Sequence, residues 1–220
     1  QWLEVIETAH GLGLKTTATI MFGHVDRPVN WARHLIRIRD LQIRTGGFTE
    51  LVPLPFVPLE APIYLKGKSR KGPTFRESIL MHAVARLAVG KHITNIQTSW
   101  VKLGENGSGM CLKAGANDLG GTLMNETITR SAGAIHGEEK TPETLEAIIK
   151  NIGRTAIQRT TLYGKAPREQ IINSYNPERL VRIINSRVKK KPPMNAERVY
   201  TPKIDSLGVT AQTTFINSMF

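Results

Sequence analysis

The sequence predicts an α/β fold, the C-terminal half of a (β/α)₈ TIM-type barrel, and three observations carry this prediction. Strand-like and helix-like segments alternate at intervals of roughly 25 to 45 residues, which is typical of βαβ crossovers and a parallel sheet. No glycine-rich nucleotide fingerprint follows the first strand, which favours a barrel over a doubly wound sheet, although the latter stays open. The chain has 220 residues and about four strand-helix units, whereas a complete barrel takes roughly 250 residues and eight units.

The first unit is a strand followed by a helix. The β-rich run "KTTATIMFGH" is the strand. Pro28 suits the first position of the helix, and Gly46 provides its stop. The preceding segment, "QWLEVIETAHGLGL", reads as the end of another helix. Between Pro28 and Gly46 apolar residues recur at helical spacing, at Trp31, Leu35 and Ile38.

The second unit repeats the pattern. Its strand is "FTELVPLPF", and its helix is "TFRESILMHAVARLAVG", which Thr74 and Glu77 open with a capping box. The spacing predicts one buried stripe on this helix, formed by Phe75, Ile79, Ala83, Val84 and Leu87.

The remaining units are shorter. The third strand is "ITNIQTSW", followed by a glycine-rich turn and a short helix at "GMCLKAG", and the fourth strand is "NDLGGTLM". Thr141 and Pro142 start the last clear helix, since this pair suits a helix beginning. Because periodicity weakens beyond Gly164, we expect a half barrel at 1–164 and a basic, helical or irregular extension at 165–220. The apolar face of the last clear helix comprises Leu145, Ile148, Ile149 and Ile152.

Composition indicates a globular chain in a reducing compartment. Hydrophobic residues make up 40% of the sequence, and Cys111, the single cysteine, excludes an internal disulfide. No apolar run is long enough to cross a bilayer, and the first residues lack the basic region of a signal peptide. We therefore expect a cytoplasmic protein without a membrane partner, with an organelle of a eukaryote left open.

A half barrel has open strand edges and an exposed interior, so it is unstable alone. The chain also begins with Gln1 rather than Met. We therefore expect a comparable N-terminal half barrel, upstream in the same chain or in another chain.

The net charge of +12 and the pI near 10.1 point to an anionic partner. Much of the excess lies in "ERLVRIINSRVKKKPP", and a short run such as Lys189 to Lys191 is most simply a solvated tail. Aromatic residues make up only 6%, and no RNP-like, zinc-finger or KH-type pattern is present. A noncatalytic module that binds nucleic acid is therefore kept only as the alternative from another class.

The active groups of a (β/α)₈ barrel gather at the carboxyl ends of its strands. The polar and aromatic residues at these ends suit hydrogen bonding and stacking to an organic ligand, and no cysteine or carboxylate cluster predicts a metal site. Glycine is costly inside a strand, so Gly120 and Gly121 indicate close approach of a ligand to the backbone. The strand ends carry Gly23, His24, Pro55, Phe56, Gln97, Ser99, Trp100 and residues 117–122.

Each candidate has a structural alternative. His24 is either a ligand contact or a satisfied core histidine, and Trp100 is either a stacking surface or a core residue. Asp118 either binds a ligand or caps a turn, and Glu126 either contacts a ligand or belongs to a first helical turn. Cys111 reads as a small buried residue, because no His-Asn or His-Asp arrangement supports a nucleophile.

Four stretches together resemble one enzyme family. They are "TATIMFGHVD", "FTELVPLPFVP", "NIQTSWVKLG" and "GANDLGGTLMNETITRSAGAIHG". As a set within residues 1–164 they resemble the C-terminal half of a radical S-adenosylmethionine family, most closely the 4-hydroxyphenyl transferase component of deazaflavin (FO) synthase. The last stretch favours this branch over the menaquinone-pathway enzymes aminofutalosine synthase and dehypoxanthine futalosine cyclase, which stay the alternative within the enzyme class.

The resemblance implies a reaction and its ligands. A [4Fe-4S] cluster and S-adenosyl-L-methionine would initiate cleavage of L-tyrosine and transfer of its 4-hydroxybenzyl group to 5-amino-6-(D-ribitylamino)uracil. This step belongs to deazaflavin and coenzyme F420 biosynthesis, so the cyclising FO synthase component is a further expected partner. By this resemblance His24 lies near the adenosyl or substrate pocket, and we assign it to cofactor binding. The implied substrate-binding residues are Gln97, Ser99, Trp100, Asn117, Asp118, Gly120, Gly121, Thr122 and Glu126.

One departure from the family is severe. The family holds its cluster with a C-x-x-x-C-x-x-C loop, whereas this chain contains Cys111 alone. The chain by itself is therefore expected to be inactive, with no catalytic or metal residue assignable in this half. A smaller departure is Asp26, where Glu is more usual.

Overall fold

The computed structural model describes residues 1–123 and 125–177. The helices predicted before the first strand, after the first and second strands and at Pro142 are confirmed. The basic run at Lys189 to Lys191 and the rest of the predicted extension beyond residue 177 lie outside the described residues. No helix in the described part has the length and apolar character needed to span a bilayer. The elements are α1 (Trp2–Gly11), β1 (Thr16–Phe22), α2 (Pro28–Thr45), β2 (Phe48–Pro55), α3 (Pro62–Leu65), α4 (Phe75–Val89), α5 (Trp100–Lys113), α6 (Ile128–Ser131), α7 (Pro142–Asn151) and α8 (Arg168–Tyr175).

Local sequence sets the limits of the long helices. α2 begins at Pro28, where a backbone N–H is not needed, and its C-cap residue is Gly46, whose φ of 61° is left-handed. α4 begins with the predicted capping box, in which the Thr74 side chain accepts from the backbone N–H of Glu77 and the Glu77 carboxylate accepts from the N–H of Thr74. The capping box thus satisfies the N–H groups of Thr74 and Glu77, which have no carbonyl partner within the helix.

β1 and β2 form a parallel pair joined by α2, which is the predicted βαβ unit. Thr17 lies beside Glu50 in this pair, and Phe22 lies beside Pro55. The pairing confirms a parallel sheet with consecutive strands as neighbours.

The third and fourth predicted strands are much shorter than expected. Leu51 forms a parallel bridge with Ile96, and Gln97 forms one with Asp118, so each segment continues the sheet by an isolated bridge. The reason is local, because α5 already begins at Trp100 and the backbone turns beyond Asp118. The order of pairing still follows the order of the chain, as in half of a (β/α)₈ barrel.

The helices lie side by side in chain order, since α1 contacts α2, α2 contacts α4, α4 contacts α5 and α5 contacts α7. Alternate residues of β1, such as Ala18 and Ile20, are buried in one core with Leu35 and Ile38 of α2. A row of helices packed on a parallel sheet confirms the α/β class. Closure into a barrel stays a prediction.

The predicted buried stripe of α4 was wrong. Leu87 is 86% exposed and Phe75 is 53% exposed. The buried stripe has the same helical spacing but contains polar residues, whereas the predicted stripe contained only apolar ones. His82 in this stripe donates from Nδ1 to the backbone oxygen of Ser78 at 2.8 Å, which satisfies that ring nitrogen. The buried residues of α4 are Ser78, Met81, His82, Ala85 and Val89.

The helix predicted at "GMCLKAG" is longer than expected, because α5 spans Trp100–Lys113 and absorbs the glycine-rich turn. Gly104 interrupts its regular geometry with a φ of 68° and a ψ of −177°. A Cβ at this position would lie 2.8 Å from Nδ1 of His136. The close approach of His136 and the left-handed φ both favour glycine at this position.

Candidate functional site

The face of the sheet opposite the core helices carries polar side chains. Because side chains alternate along a strand, burial of Ala18 on the helix side places Thr17 on the opposite side. Thr17 Oγ1 donates to Glu50 Oε1 at 3.1 Å, so the Glu50 carboxylate is on the same side. We call this side, with Thr17, Glu50, Gln97 and Asp118, the inner face, because in a barrel it would line the interior.

Arg159 joins the carboxylates of the inner face. Its Nη2 donates to Asp118 Oδ1 at 3.0 Å, and its Nε donates to Asp118 Oδ2. The same Nη2 lies 3.7 Å from Glu50 Oε2. The Asp118 side chain is 8% exposed and that of Glu50 13%, so these ion pairs are largely shielded from water. Burial alone lowers the pKa of Arg159, but its hydrogen bond and ion pair with Asp118 raise this pKa overall, so the guanidinium stays charged.

Arg159 belongs to a segment that follows α7. Its backbone forms an antiparallel bridge with Lys165, and we call residues 159–165 the C-terminal hairpin. Tyr163 in this hairpin has a φ of 62°, and its Oη donates to Glu50 Oε2 at 2.6 Å. Burial and the hydrogen bond to Glu50 raise the pKa of Tyr163, so its phenol remains a donor. The guanidinium carbon of Arg159 lies 4.0 Å from the centroid of the Tyr163 ring, a cation–π contact.

The structure brings Gln97, Asp118 and Gly120 into contact. Asp118 Oδ1 accepts from the backbone N–H of Gly120 at 2.5 Å and lies 3.4 Å from Gln97 Nε2. Asp118 therefore caps a turn, as its structural alternative held. Gly120 has a φ of 77°, and a Cβ there would lie 2.8 Å from Gln97 Nε2, whereas a Cβ at Gly121 would meet no atom within 4 Å. Gly120 is thus explained by the approach of Gln97, and contact of these residues with a ligand stays a prediction.

Three other predicted site residues have structural partners. Trp100 is 1% exposed and donates through Nε1 to a backbone oxygen of the fourth strand segment at 2.9 Å, so it is a core residue. The Glu126 carboxylate, two residues before α6, accepts from the backbone N–H of Thr129 at 3.0 Å. Asn117 Oδ1 accepts from the guanidinium of Arg86 at 2.8 Å. For Trp100 the structure supports the alternative that sequence analysis left open, whereas Glu126 precedes α6 rather than belonging to its first turn.

Ser99 and Thr122 follow the third and fourth strand segments and are half-buried. The backbone oxygen of Ser99 accepts from the N–H of Leu103 at 3.0 Å, and that of Thr122 accepts from the N–H of Lys140 at 2.9 Å. Their substrate-binding roles stay predictions.

His24 lies at the carboxyl end of β1, against the ring of Phe56 with centroids 5.8 Å apart. Its Nδ1 accepts from the backbone N–H of Val25 at 2.7 Å. The neighbouring Asp26 carboxylate accepts from the backbone N–H groups of Gly23 and His24, at 2.9 and 2.7 Å, and from Nε1 of Trp31. Asp26 therefore fixes the loop on which His24 stands, and the cofactor role of His24 stays a prediction.

A cavity of about 410 Å³ lies beside the carboxyl end of β2. Its lining includes the apolar side chains of Phe56, Pro73 and Phe75, and its polar side chains are Lys71, Ser78, Lys102 and His136. Burial lowers the pKa of Lys102. None of the residues that the resemblance assigns to cofactor or substrate binding lines this cavity. Pro55 and Phe56, at the predicted end of the second strand, do line it, and His24 contacts the ring of Phe56.

Cys111 does not fit the cluster that the family resemblance implies. It is fully buried within the core, and burial raises the pKa of its thiol to about 11. A cluster with one open iron needs three thiolates, and the whole sequence has this one cysteine. The described residues also contain no group of three or more His, Cys, Asp or Glu placed to hold a metal ion.

Sequence analysis missed Glu50, Arg159 and Tyr163. Glu50 was visible as the one charged residue in the largely apolar strand "FTELVPLPF", since a charged side chain on a buried strand is rarely left without a partner. Arg159 and Tyr163 lie beyond the last clear helix, where no periodicity places a residue against a strand.

Residues 45–172 match the family described as the CofH/MqnC C-terminal region. This chain belongs to that family. The matched range includes Glu50, Gln97, Asp118 and the C-terminal hairpin. Both carboxylates of the inner face and the guanidinium of Arg159 therefore lie within the region that the family shares. The resemblance seen in the four sequence stretches is confirmed.

Several relatives carry names that state a reaction. The chain is 54% identical over 169 residues to the FO synthase of Streptomyces coelicolor, covering 77% of this chain and 20% of that protein. It is 54% identical over 163 residues to the FO synthase of Mycobacterium tuberculosis H37Rv, covering 74% and 19%. It is also 54% identical over 163 residues to the 5-amino-6-(D-ribitylamino)uracil–L-tyrosine 4-hydroxyphenyl transferase of Methanopyrus kandleri, covering 74% and 44%. The chain thus spans less than half of each of these relatives.

Proposed function

We propose that this chain is the C-terminal half of a barrel enzyme that cleaves L-tyrosine and transfers its 4-hydroxybenzyl group to 5-amino-6-(D-ribitylamino)uracil in deazaflavin biosynthesis. The observation that carries the proposal is the 54% identity to a Methanopyrus kandleri protein named for these two substrates. The polar inner face supports it, because a sheet with consecutive parallel neighbours turns this face toward a shared interior when the barrel is completed.

The radical chemistry would be supplied by a [4Fe-4S] cluster and S-adenosylmethionine held by an N-terminal half, since Cys111 cannot hold the cluster. The residues of this chain would orient the substrates and exclude water. Gln97 offers amide hydrogen bonds on the inner face, and His24 lies at the rim beside Phe56. We place the reaction in the cytoplasm, with the cyclising component of FO synthase taking the product.

The matched family also covers the menaquinone branch by its description, but three relatives carry the FO synthase or transferase name. These names favour the deazaflavin substrates. The nucleic-acid alternative depended on Lys189 to Lys191, which lie outside the described residues.

A chimera tests the proposal. The region of the Methanopyrus kandleri transferase that aligns with this chain is replaced by this chain's residues, and the purified protein, called the chimera below, is reconstituted anaerobically with its cluster. Given reductant, S-adenosylmethionine and both substrates, the chimera should form the hydroxybenzyl adduct of the aminouracil, detected by mass spectrometry, at a rate within about tenfold of the parent enzyme. A folded chimera with an intact cluster and no adduct would contradict the proposal, as would preference for an aminodeoxyfutalosine-type substrate.

A further inference from the structure

The Asp118 carboxylate is held from two sides. Arg159 donates to both of its oxygens, and the backbone N–H of Gly120 donates to Oδ1. With Asp118 fixed in this way, its Oδ1 lies 3.4 Å from Gln97 Nε2, at the long limit of a hydrogen bond. A carboxylate only accepts, so this contact turns the amide nitrogen of Gln97 toward Asp118.

The amide oxygen of Gln97 is consequently the end that remains for a ligand. Within the residues that the structure describes, Gln97 Oε1 accepts no hydrogen bond, although the side chain is half-buried on the inner face. An unpartnered carbonyl oxygen in such a place favours a ligand that donates an N–H or O–H group.

Contacts with Glu50 and with Tyr163 of the C-terminal hairpin hold the Arg159 side chain beside Asp118. Glu50 lies 3.7 Å from Arg159 Nη2, and the Tyr163 ring packs on the guanidinium plane. Glu50 is itself held by Thr17 Oγ1 and Tyr163 Oη. Without Arg159, two carboxylates of the inner face would lose their shared cation, and Asp118 would lose the donor that fixes both of its oxygens.

We propose that Arg159 is a positioning residue for substrate recognition: through Asp118 it orients Gln97, whose Oε1 accepts a hydrogen bond from an amino group of an aminopyrimidine substrate. The inference rests on the proposed function, which supplies an aminouracil with several N–H donors. An aminouracil fits this acceptor better than the phenol-bearing amino acid, because its amino groups and ring N–H lie along one planar edge.

Binding and kinetics of chimera variants test the inference. Arg159→Met and Gln97→Ala should each weaken calorimetric binding of 5-amino-6-(D-ribitylamino)uracil, and raise its KM, by about tenfold. The KM for tyrosine should stay within about twofold. The double variant should lose about tenfold rather than a hundredfold, because both changes remove the same interaction.

Arg154→Met is the matched control. Arg154 also follows α7 and carries a guanidinium group. This group donates to the backbone oxygen of Ala116 at 3.2 Å rather than to a carboxylate of the inner face. This variant should keep aminouracil binding within about twofold. If a thermal unfolding curve shows that Arg159→Met is not folded, Arg159→Lys replaces it. Lysine keeps the charge but cannot donate from two nitrogens to both oxygens of Asp118, so this variant should show the same selective loss of aminouracil binding.

The outcomes separate the two proposals. A hundredfold loss in the double variant, or equal losses for tyrosine and aminouracil, would overturn the positioning role. So would unchanged binding in Arg159→Met or Arg159→Lys. A chimera that forms no adduct would overturn the proposed function instead, and the calorimetric binding series would still decide the inference.

Discussion

At the scale of single residues, the two adjacent glycines of the fourth strand segment have different reasons to be glycine. Gly120 combines a left-handed φ of 77° with a neighbour, Gln97 Nε2, only 2.8 Å from where a Cβ would stand. Gly121 has neither constraint. The sequence alone presented them as a pair, but only Gly120 is required by the structure.

Gly120→Ala should therefore be costly and Gly121→Ala should not. We expect Gly120→Ala to lower the free energy of unfolding of the chimera by about 1 to 3 kcal/mol, because alanine adopts this φ only with strain and its Cβ displaces Gln97. Gly121→Ala, the matched control, should change it by less than about 0.5 kcal/mol. Urea unfolding measures both, and equal effects at the two positions would refute this explanation.

His82 gives the fold a pH dependence of known sign. Its ring is fully buried, and burial lowers its pKa from the usual value near 6.5. Below about pH 6.5 the unfolded chain therefore binds a proton that the folded chain does not. The free energy of unfolding consequently decreases as the pH is lowered from about 6.5, until the pH falls below the pKa of His82 in the folded state.

Replacing His82 should flatten this dependence. In His82→Gln the decline in the free energy of unfolding between about pH 6.5 and 5 should be shallower by up to about 1.4 kcal/mol per pH unit. His10 and His34, whose pKa values burial also lowers, remain in both proteins as a common background. An unchanged slope in urea titrations across this pH range would show that His82 does not contribute.

At the scale of elements, α4 shows that two helical stripes of equal spacing compete on one helix. The stripe that packs contains Met81, which is 2% exposed, while Leu87 is 86% exposed. Met81→Ala should therefore destabilise the chimera by about 2 to 5 kcal/mol, because it leaves a cavity in the core. Leu87→Ala, a comparable truncation on the same helix, should cost less than about 0.5 kcal/mol. A larger loss from Leu87→Ala in thermal and urea unfolding would mean that α4 packs in the orientation expected from sequence.

The ends of α2 and α4 were predictable because they depend on residues close to them in the sequence. Pro28, Gly46 and the Thr74–Glu77 capping box act on their own backbone, so sequence suffices to find them. The orientation of α4 and the extent of the third and fourth strands depend on what each element packs against, and this information is not local.

In the candidate site, too, residues marked by local sequence were predictable and residues brought in by long-range contacts were not. Gln97, Asp118 and Gly120 were predicted from their place at strand ends, and the structure brings them together. Their cation, Arg159, is 41 positions from Asp118 along the chain and lies in an aperiodic hairpin. Contacts of this range arise from the fold as a whole, so no local pattern could assign them.

At the scale of the whole molecule, the described elements present an incomplete sheet. Within the described part, β1 pairs with β2 alone and leaves its other edge without a strand. The inner face, with its two carboxylates and Arg159, is built for an interior rather than for bulk water. Both features are those expected where half of a barrel meets the other half.

We expect this chain and a cluster-bearing half to share one barrel interior, and a crystal structure of the chimera would show whether they do. The predicted result is a strand of the N-terminal half hydrogen-bonded along the free edge of β1, with Glu50, Gln97 and Asp118 facing the enclosed interior. A structure in which that edge of β1 remains unpaired, or in which the inner face lies outside the enclosed volume, would contradict the claim.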